Sequence, residues 1–423
     1  MSIGRICILS PSHLATNPRL VKEAHALTDA GYDVRVIYGL SVPRAREHDA
    51  LLADPRWRAS SVPFGPFEAR PSLYFAQAIT RHSARLLVRL GYRGERAIAA
   101  AHAAATTGLL KTALNTPADL YIAHYVAALP AAARAAQRYG ARYAFDAEDF
   151  HLGDLSDDPK HEFEKLIIRG IESRYLPGAA YVTAAAPMIA DAYAQTYQIP
   201  RPTVVLNTFP RAWAPGEWSP KGSATPGPSL YWFSQTVGPG RGLETAIQAI
   251  ALTSSSPHLY VRGKAAAGFD KRLRALAMQQ GVGDRLHLIA PETPLAMERL
   301  GAQYDIGFSG ETGFSRNNSL ALGNKLFSYL CSGLPILASS TASHQAIATE
   351  LGDAMALFPA GNAAALATLL DDLLLNPVRL AAAREDAWRL GQGRYCWEEE
   401  QGALLRSVDA AFVRITATTR ASR

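Results

Sequence analysis

Several features that would place this protein outside the ordinary globular class are missing from its sequence. Its 423 residues contain no run of about eighteen uninterrupted apolar residues, which excludes a helix that spans a membrane. The N-terminal segment turns polar too soon for a secretory signal peptide. The cysteines, Cys7, Cys331 and Cys396, stand apart with no C-x-x-C pair, which excludes a disulfide framework and a thiolate zinc site. We therefore expect a cytoplasmic protein with reduced thiols.

The chain also has little charge of either sign. Charged residues make up 19% of the sequence and hydrophobic residues 48%, a composition that favours a folded chain over a disordered one. The 43 basic residues exceed the 37 acidic ones and give a formal net charge of +6. This excess suggests an anionic partner but is too small to indicate nucleic acid.

The apolar residues form short runs that alternate with helical patterns, as in a buried parallel sheet covered by helices. The first series of strands is predicted at residues 5–9, 33–38, 119–123, 142–145, 180–183 and 203–206. The second series is predicted at residues 230–233, 259–261, 286–289, 306–308, 335–338 and 355–358. We therefore predict an α/β protein with two Rossmann-like domains that face each other across a cleft, followed by a helical C-terminal tail.

Proline separates the two series of strands. Five prolines fall between Asn207 and Ser229, and no helix or strand tolerates that density. The predicted organisation is an N-terminal domain over residues 1–207, a linker over 208–229, a second domain over 230–392 and a helical segment over 393–423 that packs back on the first domain. The cleft between the domains is the expected ligand site, because ligands of open parallel sheets bind beyond the carboxyl ends of the strands.

Two cations in the second half follow the pattern of a phosphate site. The segment Gly238–Gly242, GPGRG, opens a predicted helix, where backbone N–H groups and the helix start favour an anion. Arg241 adds a fork of donors, and Lys325 begins another predicted helix. A single glycine loop is more often only a turn that begins a helix, but two cations at helix starts favour a diphosphate. No G-x-G-x-x-G fingerprint follows the first strand of either half, which argues against a nicotinamide oxidoreductase.

The segment Gly323–Ala338, GNKLFSYLCSGLPILA, resembles the donor-binding signature of GT-B glycosyltransferases, particularly those similar to glycosyltransferase family 4. The usual form of that signature is N-K-x-F-E-Y-x-x-x-G-x-P. Shorter segments support the resemblance in the right order along the whole chain: NPRLVKEA at 17–24, His124 with Leu129 and Pro130 after it, DAE at 146–148 and YCWEEE at 395–400.

The resemblance implies transfer of a sugar from a nucleotide diphosphate sugar to an acceptor, generally with retention of anomeric configuration. The C-terminal half would hold the donor and the N-terminal half the acceptor. Arg241 and Lys325, which we expect outside the core, would stabilise the leaving diphosphate without a metal ion. The sequence lacks the D-x-D pair with which other glycosyltransferases hold a divalent cation. No cofactor is implied beyond the nucleotide sugar as co-substrate, and the acceptor is unknown.

The signature departs from the family at two positions. Family members usually carry two glutamates eight positions apart, and Leu320 and Ser328 stand in their places. We expect Glu311 to contact the sugar hydroxyls instead, and Ser328 to keep a weaker hydrogen bond to the ribose. The other residues expected at the donor are Ser234, Gln235, Gly240, Gly242, Arg262, Lys264, Pro291, Asn318 and Asn324.

His124 is predicted to be catalytic, because its place matches a family position that faces the scissile bond. A single histidine at a strand end is also often structural. Residues expected on the acceptor side are Ser12, His13, Asn17, Arg19, Asp146 and Glu148. Asp146 and Glu148 suit the orientation of His124 or of an acceptor hydroxyl, but equally the first turn of a helix.

Five arginines share one face of a predicted helical region between residues 73 and 116. At about 100° per residue, Arg81, Arg85, Arg89, Arg93 and Arg96 fall within an arc of roughly 120°. Ile79, Leu86, Leu87, Leu90 and Ile98 crowd the next arc, and Glu95 is the only acidic residue nearby. Such a helix suits peripheral contact with an anionic membrane or with a lipid-linked or phosphorylated acceptor. An ordinary helix with a solvated arginine face explains the pattern equally well.

Other functions stay open at this stage. A non-catalytic nucleotide-sugar-binding subunit would explain the missing glutamates. A nucleotide-sugar epimerase or a sugar-phosphate phosphorylase would share the architecture.

Overall fold

The computed structural model describes residues 2–43, 45–216, 218 and 225–421. The chain divides into two compact units. The first unit comprises Met1–Val205 and Gln401–Arg423, and the second unit comprises Leu206–Glu400. Both are built on parallel sheets, which confirms the predicted α/β fold class with two Rossmann-like sheets.

The sheet of the first unit has seven parallel strands among the described residues. They are β1 (Arg5–Ser10), β2 (Asp33–Leu40), β3 (Arg58–Pro63), β4 (Leu120–His124), β5 (Arg142–Ala147), β6 (Val182–Ala184) and β7 (Thr203–Val204). Their order is β3-β2-β1-β4-β5-β6-β7. The central strand β4 is buried along its whole length and pairs Leu120 with Ile6 of β1, which is why it reads as an uninterrupted apolar run.

Nine helices of the first unit connect these strands within the described residues. They are α1 (Pro18–Asp29), α2 (Ala45–Leu52), α3 (Gly65–Glu68), α4 (Pro71–Arg89), α5 (Glu95–His102), α6 (Ala105–Ala113), α7 (Leu129–Tyr139), α8 (Glu162–Tyr175) and α9 (Pro187–Tyr197). The helical region predicted between residues 73 and 116 is thus three helices.

The sheet of the second unit has six parallel strands in the part of the chain that the structure describes. They are β8 (Ser229–Val237), β9 (His258–Ala265), β10 (Leu286–Ile289), β11 (Ile306–Ser309), β12 (Ile336–Ser339) and β13 (Met355–Phe358), in the order β10-β9-β8-β11-β12-β13. Its helices are α10 (Leu243–Leu252), α11 (Phe269–Gln279), α12 (Pro294–Leu300), α13 (Arg316–Leu320), α14 (Asn324–Ser332), α15 (Ala342–Leu351), α16 (Ala363–Leu374) and α17 (Pro377–Gln392). Helix α10 packs its Leu243, Ile247 and Ile250 into the core of this unit.

The last helix, α18 (Trp397–Ala421), begins in the second unit and continues into the first. Within the first unit, Asp409 of α18 accepts a hydrogen bond from the Tyr32 hydroxyl at 2.6 Å, and Phe412 packs against the Tyr32 ring. The predicted domain limits stay a prediction, and residues 217 and 219–224 of the predicted linker lie outside the described residues. In the part of the chain that the structure describes, no helix has the length and apolar content needed to cross a lipid bilayer.

Candidate functional site

The strand order of the second unit creates a crevice between β8 and β11. The connections from these neighbouring strands leave in opposite directions, and a ligand can bind where they part. The loop Gly238–Gly242 follows β8, and the loop Gly310–Gly313 follows β11. Gly242 has a φ of +69°, and a Cβ atom there would lie 2.3 Å from the Gly310 carbonyl oxygen. The two loops therefore touch backbone to backbone, an approach that only glycine permits.

Four predicted site residues meet in this crevice. The Lys325 Nζ lies 3.0 Å from Glu311 Oε1, and the Arg241 Nη1 lies 3.7 Å from Glu311 Oε2. The amide of Asn318 donates to Glu311 Oε2 at 3.0 Å. Burial disfavours the charged carboxyl group, but Lys325 and Arg241 outweigh this effect and lower the pKa of Glu311 to about 2. Two cations thus face one carboxylate, which leaves a net positive charge beside the start of α10.

The two cations differ in exposure. The Arg241 side chain is 39% exposed, as expected for a residue outside the core. Lys325 is only 8% exposed, so the expectation that it lies outside the core is wrong. Its ammonium group lies 5.6 Å from the centre of the Trp232 ring, a cation–π arrangement, and Glu311 compensates its charge. Lys325 therefore holds the carboxylate in place, while Arg241, which is more exposed and lies farther from Glu311, is accessible to a ligand.

Some other predicted donor residues lie along the strand ends of the same sheet. Ser234 and Gln235 occupy an irregular stretch of β8 where the register with β9 shifts between Phe233 and Thr236. Lys264 is exposed near the end of β9, and Pro291 is exposed just after β10. Gly240 has a φ of +76° and accepts a hydrogen bond from the Thr312 hydroxyl at 3.3 Å.

The remaining predicted donor residues are engaged elsewhere in the second unit. Arg262 is buried, donates to the Ala290 carbonyl oxygen at 3.1 Å and is not part of the Glu311 cluster. Asn324 accepts a hydrogen bond from the Asn207 amide at 2.8 Å. Ser328 is buried on α14.

His344, which was not predicted from the sequence, lies on α15 beyond the end of β12. His344 Nδ1 lies 2.7 Å from the Ser339 carbonyl oxygen and must donate to it, so the neutral ring carries no proton on Nε2. That Nε2 is buried and has no hydrogen-bond partner among the described residues. Burial lowers the pKa of His344 and keeps the ring neutral. His344 follows the end of a predicted strand, as the predicted site residues do, and this position is the signal that points to it.

In the first unit, His124 is only 1% exposed and faces carboxylates with both ring nitrogens. Its Nε2 lies 2.6 Å from Glu23 Oε2, and its Nδ1 lies 3.3 Å from Asp146 Oδ2. Burial disfavours the imidazolium ion, but Asp146 and Glu23 together outweigh it and raise the pKa of His124. The ring is therefore held inside the unit as part of an ion-pair network.

Arg19 completes this network from α1. It donates to both carboxylate oxygens of Asp146, each at 2.7 Å, and to the Val205 carbonyl oxygen at 2.6 Å. Thr183 also donates to Asp146, at 2.5 Å. Burial works against ionisation of Asp146, but Arg19 and His124 lower its pKa to about 2. We call Arg19, Glu23, His124 and Asp146 the buried polar cluster; it joins α1, β4 and β5.

His13 and Asn17 shape the loop that follows β1. The His13 Nε2 accepts hydrogen bonds from the backbone N–H groups of Ser41 and Val42, at 2.9 and 3.0 Å. The proton of a neutral ring therefore lies on Nδ1, which donates to Asp49 at 2.7 Å. Asn17 caps α1 by accepting from the Leu20 N–H at 3.0 Å.

Three polar side chains lie at the carboxyl ends of the adjacent strands β1, β4 and β5. Ser12 is partly exposed, and its hydroxyl lies 2.8 Å from that of Ser10. Tyr125, another residue that the sequence analysis missed, has a φ of +63°, which is rare for a tyrosine. Its hydroxyl donates to Glu148 Oε2 at 3.1 Å. Burial, with the nearby Asp149 charge, raises the pKa of Glu148. The described residues contain no cluster of three histidine, cysteine or acidic side chains placed to hold a metal ion.

No protein-family model and no curated protein matches this chain. Among solved structures, HepE from Anabaena in complex with UDP and glucose is 16% identical, with a TM-score of 0.70 over 96% of this chain and 100% of that chain. Sucrose-phosphate synthase from Thermosynechococcus elongatus is 14% identical, with a TM-score of 0.72 and the same coverage. A glycosyltransferase from Rickettsia africae is 12% identical, with a TM-score of 0.66 over 96% of this chain and 98% of that chain. The chain therefore has the GT-B glycosyltransferase fold over nearly its whole length.

Proposed function

We propose that the protein is a glycosyltransferase that transfers a hexose from a nucleotide diphosphate sugar to an acceptor. The observation that carries this proposal is the meeting of Arg241, Lys325 and Glu311 in the crevice between β8 and β11. The donor diphosphate would bind against Arg241 and the start of α10, where the net charge of the cluster is positive. Binding of the diphosphate in this way does not require glutamates at positions 320 and 328, where this chain has Leu320 and Ser328.

The same groups account for how the reaction would be accelerated. As the glycosidic bond breaks, negative charge grows on the departing diphosphate, and Arg241 and Lys325 stabilise that charge. Glu311 stays ionised, because its pKa lies near 2, and Asn318 holds one of its oxygens. Glu311 is therefore suited to accept hydrogen bonds from sugar hydroxyls rather than to supply a proton.

The solved structures of similar fold guide the choice of donor. HepE was solved with UDP and glucose and with UDP-glucose. UDP-glucose is therefore the first donor to test. We assign the acceptor site to the first unit, at the strand ends that carry Ser12, Tyr125 and Glu148. We further propose that the reaction retains the anomeric configuration of the sugar.

A panel of donors tests the proposed activity. The protein is incubated with UDP-glucose, UDP-galactose, UDP-N-acetylglucosamine and GDP-mannose, with water as the acceptor of the sugar, and free nucleoside diphosphate is measured over time. We expect continuous release from at least one donor. A non-catalytic binding subunit would saturate without release, and an epimerase would change the sugar while the diphosphate stays attached. Either result would refute the proposal.

Metal independence is a separate prediction. Arg241 and Lys325 supply the positive charge that a divalent cation supplies in other enzymes, so turnover should persist in excess EDTA. The rate of nucleoside diphosphate release is compared before and after chelation. A loss of activity that Mg²⁺ or Mn²⁺ restores would show that the cations of the cluster do not carry this role.

A further inference from the structure

Helix α4 presents an apolar face to solvent. Phe75 is 62% exposed, Ile79 66%, Leu86 57% and Leu90, which follows the helix directly, 76%. The buried residues of α4 are Gln77, Ala84 and Val88, which are smaller or polar. Of the apolar residues predicted to share one arc, Ile79, Leu86, Leu87 and Leu90 thus lie on the outer side, whereas Ile98 belongs to α5 and is buried.

The spacing of the exposed residues puts them on a single stripe. Positions 75, 79, 86 and 90 differ by four, seven and four residues, which keeps them within about 60° of one another. The stripe extends about 22 Å along the helix at 1.5 Å per residue. Phe67 of α3, which immediately precedes α4 in the chain, is 74% exposed as well. Scattered apolar residues are normal on protein surfaces, but an aligned row of this length indicates an interaction surface.

The charge around the stripe is of one sign. Residues 69–94 contain five arginines and no aspartate or glutamate. Arg70 and Arg89 are exposed, although the Arg89 guanidinium lies 4.8 Å from the centre of the uncharged Phe163 ring, whereas Arg85 is paired with Glu164 of α8. The acidic residues on either side of this segment are engaged elsewhere: Glu68 pairs with Arg46, and Glu95 pairs with Arg134 and Arg174. The exposed arginines near the stripe therefore keep their positive charge available.

We propose that the α4 stripe, defined by Phe75, Ile79, Leu86 and Leu90, docks on the surface of an anionic phospholipid bilayer. The apolar side chains enter the boundary between headgroups and acyl chains, and Arg70 and Arg89 contact lipid phosphates. A second copy of the chain fits this surface poorly, because a two-fold contact would bring arginines against arginines with no acidic residue of the helix between them. The inference goes beyond the sugar transfer and is independent of the donor chemistry.

Sedimentation with vesicles tests the proposal. At low salt the wild-type protein should sediment with vesicles of phosphatidylglycerol and phosphatidylcholine, and much less with phosphatidylcholine alone. The variant F75S/I79S/L86S/L90S should bind at least about a hundredfold more weakly, because four exposed apolar side chains are lost. The variant R70Q/R89Q should bind about thirtyfold more weakly and lose most of its dependence on salt.

The control variant L51S/L252S/M278S/V378S removes the same number of exposed apolar side chains from other places on the surface. It should sediment as the wild type does. All variants replace exposed residues, so their thermal unfolding should match that of the wild type. This measurement distinguishes a loss of membrane binding from a loss of folding. Three results would overturn the proposal. They are no sedimentation of the wild type, equal binding of the wild type to neutral and anionic vesicles, and a wild-type dimer that is dissociated by the F75S/I79S/L86S/L90S substitutions but not by those of the control variant.

Discussion

At the residue scale, Asp146 is the centre of the buried polar cluster. It accepts hydrogen bonds from Arg19 and Thr183 and lies beside His124, and all of these side chains are shielded from water. A buried charge without its partner is strongly unfavourable, whereas a complete network of partners is tolerated. The network therefore depends on the carboxylate that its two cations share.

Replacing Asp146 with Asn should destabilise the protein by about 3–5 kcal/mol, because the buried Arg19 then lacks a compensating charge. The pKa of Asp146 is about 2 in the folded protein and about 3.9 in an unfolded chain. The wild type should therefore hold its full advantage over the variant at pH 5–7 and lose a large part of it as the pH falls from about 4 toward 2. Urea unfolding at several pH values measures this difference.

Asp191→Asn is the matched control for this prediction. Asp191 pairs with Arg201 at 2.6 Å, but both side chains are about half exposed, so its loss should change stability by no more than about 1 kcal/mol. Equal destabilisation by the two variants at neutral pH would contradict the role assigned to Asp146.

Single residues were predictable where their chemistry is local. Arg241 and Glu311 follow strand ends and Lys325 begins a helix, so the sequence alone brought these three to one site. The partners of His124 were not predictable, because Glu23 is 101 positions away and meets it only through the sheet. For the same reason the burial of Lys325, which depends on Glu311, did not follow from the sequence.

At the scale of elements, helices α10 and α11 each follow a glycine in the left-handed region. Gly242 has a φ of +69° and Gly268 a φ of +78°. A Cβ atom on Gly242 would lie 2.3 Å from the Gly310 carbonyl oxygen, whereas a Cβ atom on Gly268 would meet nothing within 4 Å. Substitution of the two glycines therefore separates the cost of a left-handed backbone conformation from the cost of a steric clash with a neighbouring loop.

Gly268→Ala should destabilise the protein by about 1–2 kcal/mol, the cost of a left-handed alanine. Gly242→Ala should cost clearly more, because the loops after β8 and β11 must also move apart. It should in addition weaken donor binding, which Gly268→Ala should leave unchanged. Thermal unfolding and nucleotide titration of both variants test this, and equal losses of stability would show that the contact between the loops contributes little.

The strands were predictable where they are buried on both faces, because an apolar run then coincides with the strand. Strand β3 escaped prediction, since it lies at the sheet edge and only Val62 among its residues is buried. Strand β8 extends beyond its apolar run through exposed polar residues, where its register shifts. The apolar face of α4 was predictable as a pattern, but its outward orientation required the structure.

At the scale of the whole molecule, both units use the same order for their first six strands. In each sheet the strand order changes direction between the first and fourth strands, which are β1 and β4 in the first unit and β8 and β11 in the second. Polar residues follow the carboxyl ends of these strands in both units. The predicted strand ends therefore pointed to the right edges of the sheets, although strand order itself cannot be read from apolar runs. The packing of α18 within the first unit could not be predicted either, because it depends on long-range contacts such as that of Asp409 with Tyr32.

The proposed function depends on the binding of a nucleotide-sugar diphosphate by Arg241 and its neighbours. Calorimetric titration of UDP into the wild type, Arg241→Ala and Arg379→Ala tests it most directly. Arg379 is an exposed arginine of the same unit, paired with Asp372, and serves as the matched control. We expect measurable binding by the wild type, about tenfold or more weaker binding by Arg241→Ala, and unchanged binding by Arg379→Ala. Equal affinities of the wild type and Arg241→Ala, or no binding by the wild type, would contradict the account.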